Sequence, residues 1–354
     1  MLDQNHGRGA QSNPQNQFLA QGVEADLEFY EHLHLSGDSL KQKTSYLKVT
    51  PKTIVNKVNS PDLPFPYSMN PYQGCEHGCI YCYARNSHEY WGYSAGRDFE
   101  SKILVKNNAA ALLRKKFDSK NWVPAPIMLS GNTDCYQPIE RKLKITRSIL
   151  QVCLEYRHPV GLITKNAMLL RDLDILKELA ALNLVRVVLS ITTLNEKLRE
   201  KLEPRTSTAG LRFNAVRRLS ENGVPVSVMM APVIPNINSS EIMKIAEKAA
   251  DNGAKHLYHT VVRLNGVIGQ LFEEWLDEHY PDRKEKVLHQ IEELHGGQLN
   301  DSRFSTRMRG EGEYADHIAQ MFVMARKKYK LDGPRIPMDT TLFRRAGESQ
   351  LSLF

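Results

Sequence analysis

Short, almost wholly apolar runs alternate with helical patterns through the middle of this chain, and that alternation is what most constrains its fold. The runs are Ile127–Ser130, Val160–Thr164, Val185–Ile191, Val226–Ala231 and His256–Val262. Helical segments at about 141–157, 172–182, 209–222 and 239–252 lie between them. The segment 172–182 shows the helical period, with Leu173, Leu176, Leu179 and Ala180 on one side. Three of the helices end near a breaker, at His158-Pro159, Asn222-Gly223 and Asn252-Gly253. Strands this apolar are buried on both faces in a parallel sheet, and the connections are as short as compact α/β units prefer. A strand at about 67–70 makes six. Six units are too few for a closed eight-fold barrel, and periodicity alone leaves a doubly wound open sheet as an alternative.

What flanks the alternation is different in kind. Residues 1–60 form an N-terminal extension, and the Gln-, Asn- and Gly-rich stretch Met1–Gln21 reads as a disordered arm. The repeating unit occupies 61–263, entered through a proline-rich approach at Pro61–Pro66. Tyr90–Phe117 reads as an edge segment, Lys102–Lys106, followed by the first helix of the repeat. Residues 264–354 form a helical, basic C-terminal cap, with helices at about 268–279, 283–295 and 313–330. Between positions 303 and 345 stand ten Arg or Lys against five Asp or Glu. Together with a net charge of +7, this leans toward a polyanion partner; a solvated helix face with arginines paired to carboxylates gives the same count. No apolar run approaches the ~20 residues of a membrane helix, and no signal or transit pattern is present, so the expected location is the cytoplasm.

The chemistry concentrates in Asn70-Pro-Tyr-Gln-Gly-Cys75-Glu-His-Gly-Cys79-Ile-Tyr-Cys82-Tyr83, a C-x3-C-x2-C spacing. Cysteines this close in a chain without a secretory signal suggest metal rather than disulfides. Three thiolates can hold three corners of an iron–sulfur cube. A Cys3His zinc site recruiting His77 or His88 is the alternative, and unliganded thiols are the third reading. No second C-x2-C or H-x3-H follows, and the next cysteine is Cys135.

The string from Asn70 to Arg85, with Tyr81 before the third cysteine, and the later Ser130-Gly-Asn-Thr-Asp134-Cys-Tyr-Gln-Pro138 resemble the radical S-adenosylmethionine (SAM) superfamily. The resemblance, over about residues 50–345, is to an uncharacterised bacterial branch near the spore photoproduct lyases. It implies an α/β fold with a partial (β/α)6 barrel of the TIM type. It also implies a [4Fe–4S] cluster on Cys75, Cys79 and Cys82, with SAM on the fourth iron. Reductive cleavage of SAM would then yield a 5′-deoxyadenosyl radical that takes hydrogen from a substrate. A one-electron donor such as flavodoxin or ferredoxin is implied as partner, and DNA or RNA as a partner and substrate class.

A barrel places reactive groups at the C-terminal ends of its strands, and the resemblance assigns them here. Gly131, Thr133 and Asp134 match the segment that binds the SAM amino group. Lys165 would meet the SAM carboxylate or ribose, and Ser190 and Thr192 the methionine moiety and ribose. Arg205 would clamp a carboxylate, small Ala231 would leave room for adenine, and Tyr81 would lie along it. Turn, capping, core and surface roles compete at each position.

Two residues bear on the reaction itself. Tyr83 matches a tyrosine proposed for radical relay in the lyases. Their hydrogen-returning cysteine has no counterpart, because Gly131 stands in its place. Cys135, four residues on, would have to take over as donor; otherwise it is a small buried apolar residue. Three function classes therefore stand: a radical SAM enzyme acting on nucleic acid, the same chemistry on a protein, peptide or small metabolite, and a non-catalytic metal-containing nucleic-acid-binding protein.

Overall fold

The computed structural model describes residues 7–18 and 43–345. Its main sheet has seven strands in the order β10-β9-β8-β7-β6-β3-β2. These are β2 (Val55–Lys57), β3 (Tyr67–Met69), β6 (Ile127–Leu129), β7 (Val160–Thr164), β8 (Val185–Ser190), β9 (Val226–Val233) and β10 (Leu257–Val261). All neighbours from β3 to β10 are parallel, and β2 adds an antiparallel edge. The edge strands β10 and β2 do not pair with each other, so the barrel is partial. The six expected strands are therefore the parallel core of the sheet, and β2 was not anticipated. A second sheet, in the order β1-β5-β4, joins β1 (Ser45–Lys48), β5 (Lys102–Val105) and β4 (Tyr72–Gln73).

Burial on the two faces is unequal, contrary to the expectation from the apolar runs. Leu129, Leu162, Val187 and Val226 stand in register and are essentially inaccessible to solvent. Their alternates Met128, Ile163, Val188 and Met229 are only half-buried. Successive side chains of a strand point to opposite faces. One face is sealed by helices, while the other lines a lumen that an open barrel does not fill. Lys165, Ser190, Thr192 and Ala231 continue the lumen face of their strands by the same period of two.

The sealing layer consists of α4 (Ile145–Glu155), α5 (Leu173–Ala181), α7 (Ala209–Glu221) and α8 (Ile242–Asp251). Thr208 caps α7, its side chain accepting from the Leu211 amide. The smaller helices are α1 (Arg97–Ser101), α2 (Ala109–Phe117), α3 (Glu140–Leu143) and α6 (Glu196–Leu202).

The C-terminal region divides in two. Helices α9 (Ile268–His279) and α10 (Lys284–Leu294) share an apolar cluster with Cys79, Ile80 and Tyr81. Trp275 is fully buried there and donates to the Lys201 carbonyl at 3.0 Å. Helix α11 (Glu313–Tyr329) belongs instead to the barrel wall, where Ile318 and Phe322 join the main core. Beyond it, the chain runs under the N-terminal ends of the strands. Asp339 donates its amide to the Asn183 carbonyl, Arg344 bonds the Glu155 and Tyr156 carbonyls, and Phe343 packs on Phe117 and His158.

The expected disordered arm is corrected for residues 7–18, which form an extended strap over the cysteine loop. The amides of Gly9 and Ala10 donate to the Glu100 carboxylate at 3.0 and 2.8 Å. Asn16 donates to the Glu89 carbonyl, and Ser12 to Glu274. Hydrogen bonds, with Ala10 the one residue of the strap in an apolar cluster, hold this polar segment, so its composition resembles that of a solvated tail. The rest of the expected arm lies outside the described residues. Among the described residues no helix is long and apolar enough to cross a membrane.

Candidate active site

The loop Gly74–Cys82 leaves β4 at the C-terminal end of the parallel sheet. Gly74 sits at φ +77°, where a Cβ would lie 3.0 Å from the carbonyl oxygens of Phe99 and Lys102. Only glycine suits both the left-handed backbone and that approach. Fully buried Arg85 holds the loop from within. It donates to the carbonyls of Cys79 (3.0 Å), Gly78 (3.1 Å), Ala95 and Gly96, and pairs with Glu100 at 2.6 Å. A buried guanidinium is tolerated because its donors are matched by acceptors.

Cys75 and Cys79 are buried, Cys82 is half-buried, and all three are free thiols. Burial pushes all three thiols up; for Cys75 the nearby Asp134 carboxylate and then the other two thiols push the same way. Sulfurs so placed become thiolates only with a cation to bind, which is what iron supplies. Neither zinc candidate histidine joins the three sulfurs as a fourth ligand among the described residues. His77 faces Asp134 (3.3 Å) and Asn166 (3.3 Å), and His88 packs between Tyr93 and Phe99. Among the described residues no three His, Cys, Asp or Glu side chains converge at single-ion distance. Cube ligands sit on separate irons and need no such convergence. The three-cysteine donor set therefore fits a cluster.

Facing the loop is a polar network at the strand ends. Lys165 Nζ donates to Ser190 Oγ (2.6 Å) and the Ala231 carbonyl (3.3 Å), and lies 3.4 Å from Glu203. It also stands 5.6 Å above the Tyr81 ring. Glu203 is fully buried and accepts from the Tyr81 hydroxyl, from Thr192 (2.5 Å) and from Arg212 (2.7 Å). Arg212, also buried, further donates to the Ser190 carbonyl at 2.8 Å. Burial pushes the Glu203 carboxyl up, but Lys165, Arg212, Thr192 and Tyr81 outweigh it and hold the group well below the usual carboxylate range. The network thus brings together Tyr81, Lys165, Ser190, Thr192 and Ala231 of the expected SAM positions.

A second layer ties loop to barrel. Asp134 accepts from Thr164 Oγ1 (2.7 Å) and the Lys165 amide (2.8 Å), and faces His77. Burial pushes its carboxyl up, yet His77 and these donors bring the net shift below the ordinary value. Thr133 donates to the Tyr72 carbonyl at 2.7 Å. The Gly131 carbonyl accepts from Tyr83 Oη at 2.5 Å, and a Cβ on Gly131 would lie 3.0 Å from that of Ser68. Tyr83 is 47% exposed, with the Arg263 guanidinium 5.6 Å from its ring centre.

Two expected residues stand apart. Arg205 points to the outer surface, its Nε donating to the Gly7 carbonyl at 2.9 Å, because Pro204 turns the chain away from the lumen after Glu203. Cys135 lies in the main core with no exposure. Its amide donates to Ser130 Oγ and its carbonyl accepts from Thr146, and its side chain is enclosed by the core. The sequence reading missed Glu203 and Arg212. Both are charged residues in a polar stretch, and no local signal marks them as a buried pair.

A partial parallel barrel with a three-cysteine loop and a charged network at its strand ends defines a class of cofactor-dependent enzyme. Residues 69–249 match the Radical SAM superfamily, and the chain belongs to it. An uncharacterized protein of Mycobacterium tuberculosis is 32% identical over 241 residues, covering 67% of this chain and 71% of its own. An uncharacterized protein of Methanocaldococcus jannaschii is 28% identical over 70% of this chain and 88% of its own. Among solved structures, a spore photoproduct lyase variant shares the fold with a TM-score of 0.58 at 16% identity, over 89% of this chain and 85% of the lyase. Superfamily membership makes the protein an enzyme.

Proposed function

We propose that this chain is a radical SAM enzyme in which Cys75, Cys79 and Cys82 hold a [4Fe–4S] cluster and the Lys165–Glu203 network receives SAM. The observation that carries the proposal is the meeting of the cysteine loop with the lumen-facing strand ends through Tyr81, Glu203 and Lys165. When bound, cluster and SAM supply a one-electron cleavage that removes hydrogen from a substrate. Lys165 offers a cation for the SAM carboxylate, Ser190 and Thr192 offer hydroxyls, and half-buried Ala231 leaves space. Glu203 and Arg212 fix these groups and exclude water behind them.

Nucleic acid is the substrate class this reading favours. Beside the loop lie two exposed rings, each with a half-buried arginine: Tyr83 with Arg263, and Phe304 (51% exposed) with the Arg307 guanidinium 4.6 Å from its centre. Bases stack on such rings and phosphates pair with such cations. The basic count downstream contributes less, because Arg303 is paired with Asp301 and Glu311, and Arg307 also bonds Asp62. Solved forms of spore photoproduct lyase include one with AdoMet and a dinucleoside spore photoproduct.

The test is anaerobic reconstitution with iron and sulfide, then reduction by dithionite with SAM present. Release of 5′-deoxyadenosine above a Cys79→Ala control is expected; equal release by the two would end the enzyme reading. Binding of a single-stranded oligonucleotide should weaken with added salt, and should weaken again in Tyr83→Ala by about 1–3 kcal/mol. Absence of binding at low salt would remove the substrate class.

A further inference from the structure

Behind the cysteine loop, on the side away from the lumen, opens a cleft of about 350 Å³ lined by Pro138, Arg141, Lys142, Asn166, Arg205 and Ser207. Its character is basic. Arg141, Lys142 and neighbouring Lys144 are exposed, and none has an acidic partner among the described residues. Leu143, between them in sequence, is 39% exposed. The cleft contains no aromatic ring on which a base would stack.

Both cleft walls are bonded directly to the cysteine loop. On one side, Gln137 and Ile139 flank Pro138. Gln137 accepts from the Glu76 amide at 3.0 Å and donates to the Gly74 carbonyl at 3.2 Å, while the Ile139 amide donates to Glu76 at 2.7 Å. On the other, the Arg205 amide donates to the His77 carbonyl at 3.3 Å. Residues 74, 76 and 77 flank Cys75, so a single hydrogen bond and a residue or two of chain separate the cleft lining from a cluster ligand. His77, buried between Asp134 and Asn166, separates cleft from lumen.

We infer that this cleft is the docking surface for an acidic one-electron carrier protein, an inference that rests on the proposed cluster chemistry. Unpaired cations steer an acidic partner and set its encounter rate, and Leu143 supplies an apolar contact at the centre of the basic run. One electron leaves the carrier and one enters the cluster; no atom or proton is transferred. A docking face outside the lumen lets reduction proceed while SAM and substrate occupy the barrel.

The experiment uses the full chain, with purified flavodoxin as the probe. Flavodoxin affinity is measured directly, at low and moderate salt, for the wild type and for Arg141→Glu/Lys142→Glu. A weakening of about tenfold or more at low salt is expected, with a flatter salt dependence in the variant. A control pair, Lys244→Glu/Lys248→Glu on the outer face of α8, should bind as the wild type does. Dithionite-driven release of 5′-deoxyadenosine should be equal in all three proteins, because dithionite needs no docking. Unchanged flavodoxin affinity in the Arg141/Lys142 variant would overturn the inference, as would a loss confined to oligonucleotide binding. Failure of the wild type with dithionite would instead strike the proposed function.

Discussion

Glu203→Gln tests the physical core of the site. The carboxylate lies fully buried between two cations, Arg212 at 2.7 Å and Lys165 at 3.4 Å, with Tyr81 and Thr192 also donating to it. Glutamine preserves the volume but removes the charge, leaving the guanidinium of Arg212 buried without its counter-ion. Breaking a buried pair from one side costs about 3–5 kcal/mol. At roughly 1.3 °C per kcal/mol for a chain of this size, the melting temperature at pH 7 should fall by about 4–7 °C. The pH dependence has a definite sign. The folded carboxyl is depressed below its unfolded value, so its stabilisation is complete above the ordinary carboxylate range near ~4.3. It is lost as pH falls through and below that range. Thermal unfolding followed by circular dichroism from pH 7 down to pH 3 should therefore show the difference between wild type and variant shrinking with acid. A drop below about 2 °C at pH 7, or a difference that widens as pH falls, would refute the assignment of Glu203 as an ionised anchor.

Two further outcomes follow from the packing. Gly9→Ala would place a Cβ 1.8 Å from the Gly78 carbonyl oxygen, so the strap should lift from the loop. The cluster's visible absorbance should then bleach several-fold faster in air; a wild-type rate would mean that the strap does not shield it. Cys135→Ala should cost about 1–2 kcal/mol in urea unfolding, as the loss of a small buried group does. Its 5′-deoxyadenosine yield and product distribution should be unchanged, and an altered product would restore the thiol as a hydrogen donor.

The parallel core was legible because each strand is a local apolar run and each helix a local period. The residues the lumen shares were legible for a related reason. Ile163 to Lys165 and Val188 to Thr192 keep the two-residue alternation past the strand ends, so the resemblance and the geometry point to the same side chains. Charged partners that meet only in the folded chain left no such trace. Glu203 and Arg212 are charged residues in a polar stretch, and nothing local says that they are buried together. The same holds for Arg85 with Glu100, fifteen residues apart. The strap over 7–18 was hidden for the opposite reason, since its polar side chains say solvent, whereas they and the main-chain amides bond partners far along the chain. Arg205 was misread because the turn at Pro204, not the charge pattern, decides which side of the wall it occupies.

The strap also carries a consequence for assembly. Its partners lie at Glu89, Glu100, Arg205 and Glu274. Residues 7–18 are synthesised before any of these, and the bond to Glu274 waits until α9 has emerged. Contacts of such large sequence separation form late. The cysteine loop, held by Arg85 and then by Gln137, Ile139, Leu202 and Arg205, has all of these partners before α9 emerges. During synthesis there is thus an interval in which the loop is shaped but uncovered, open to whatever delivers iron and sulfide. The last long-range contacts then close over it.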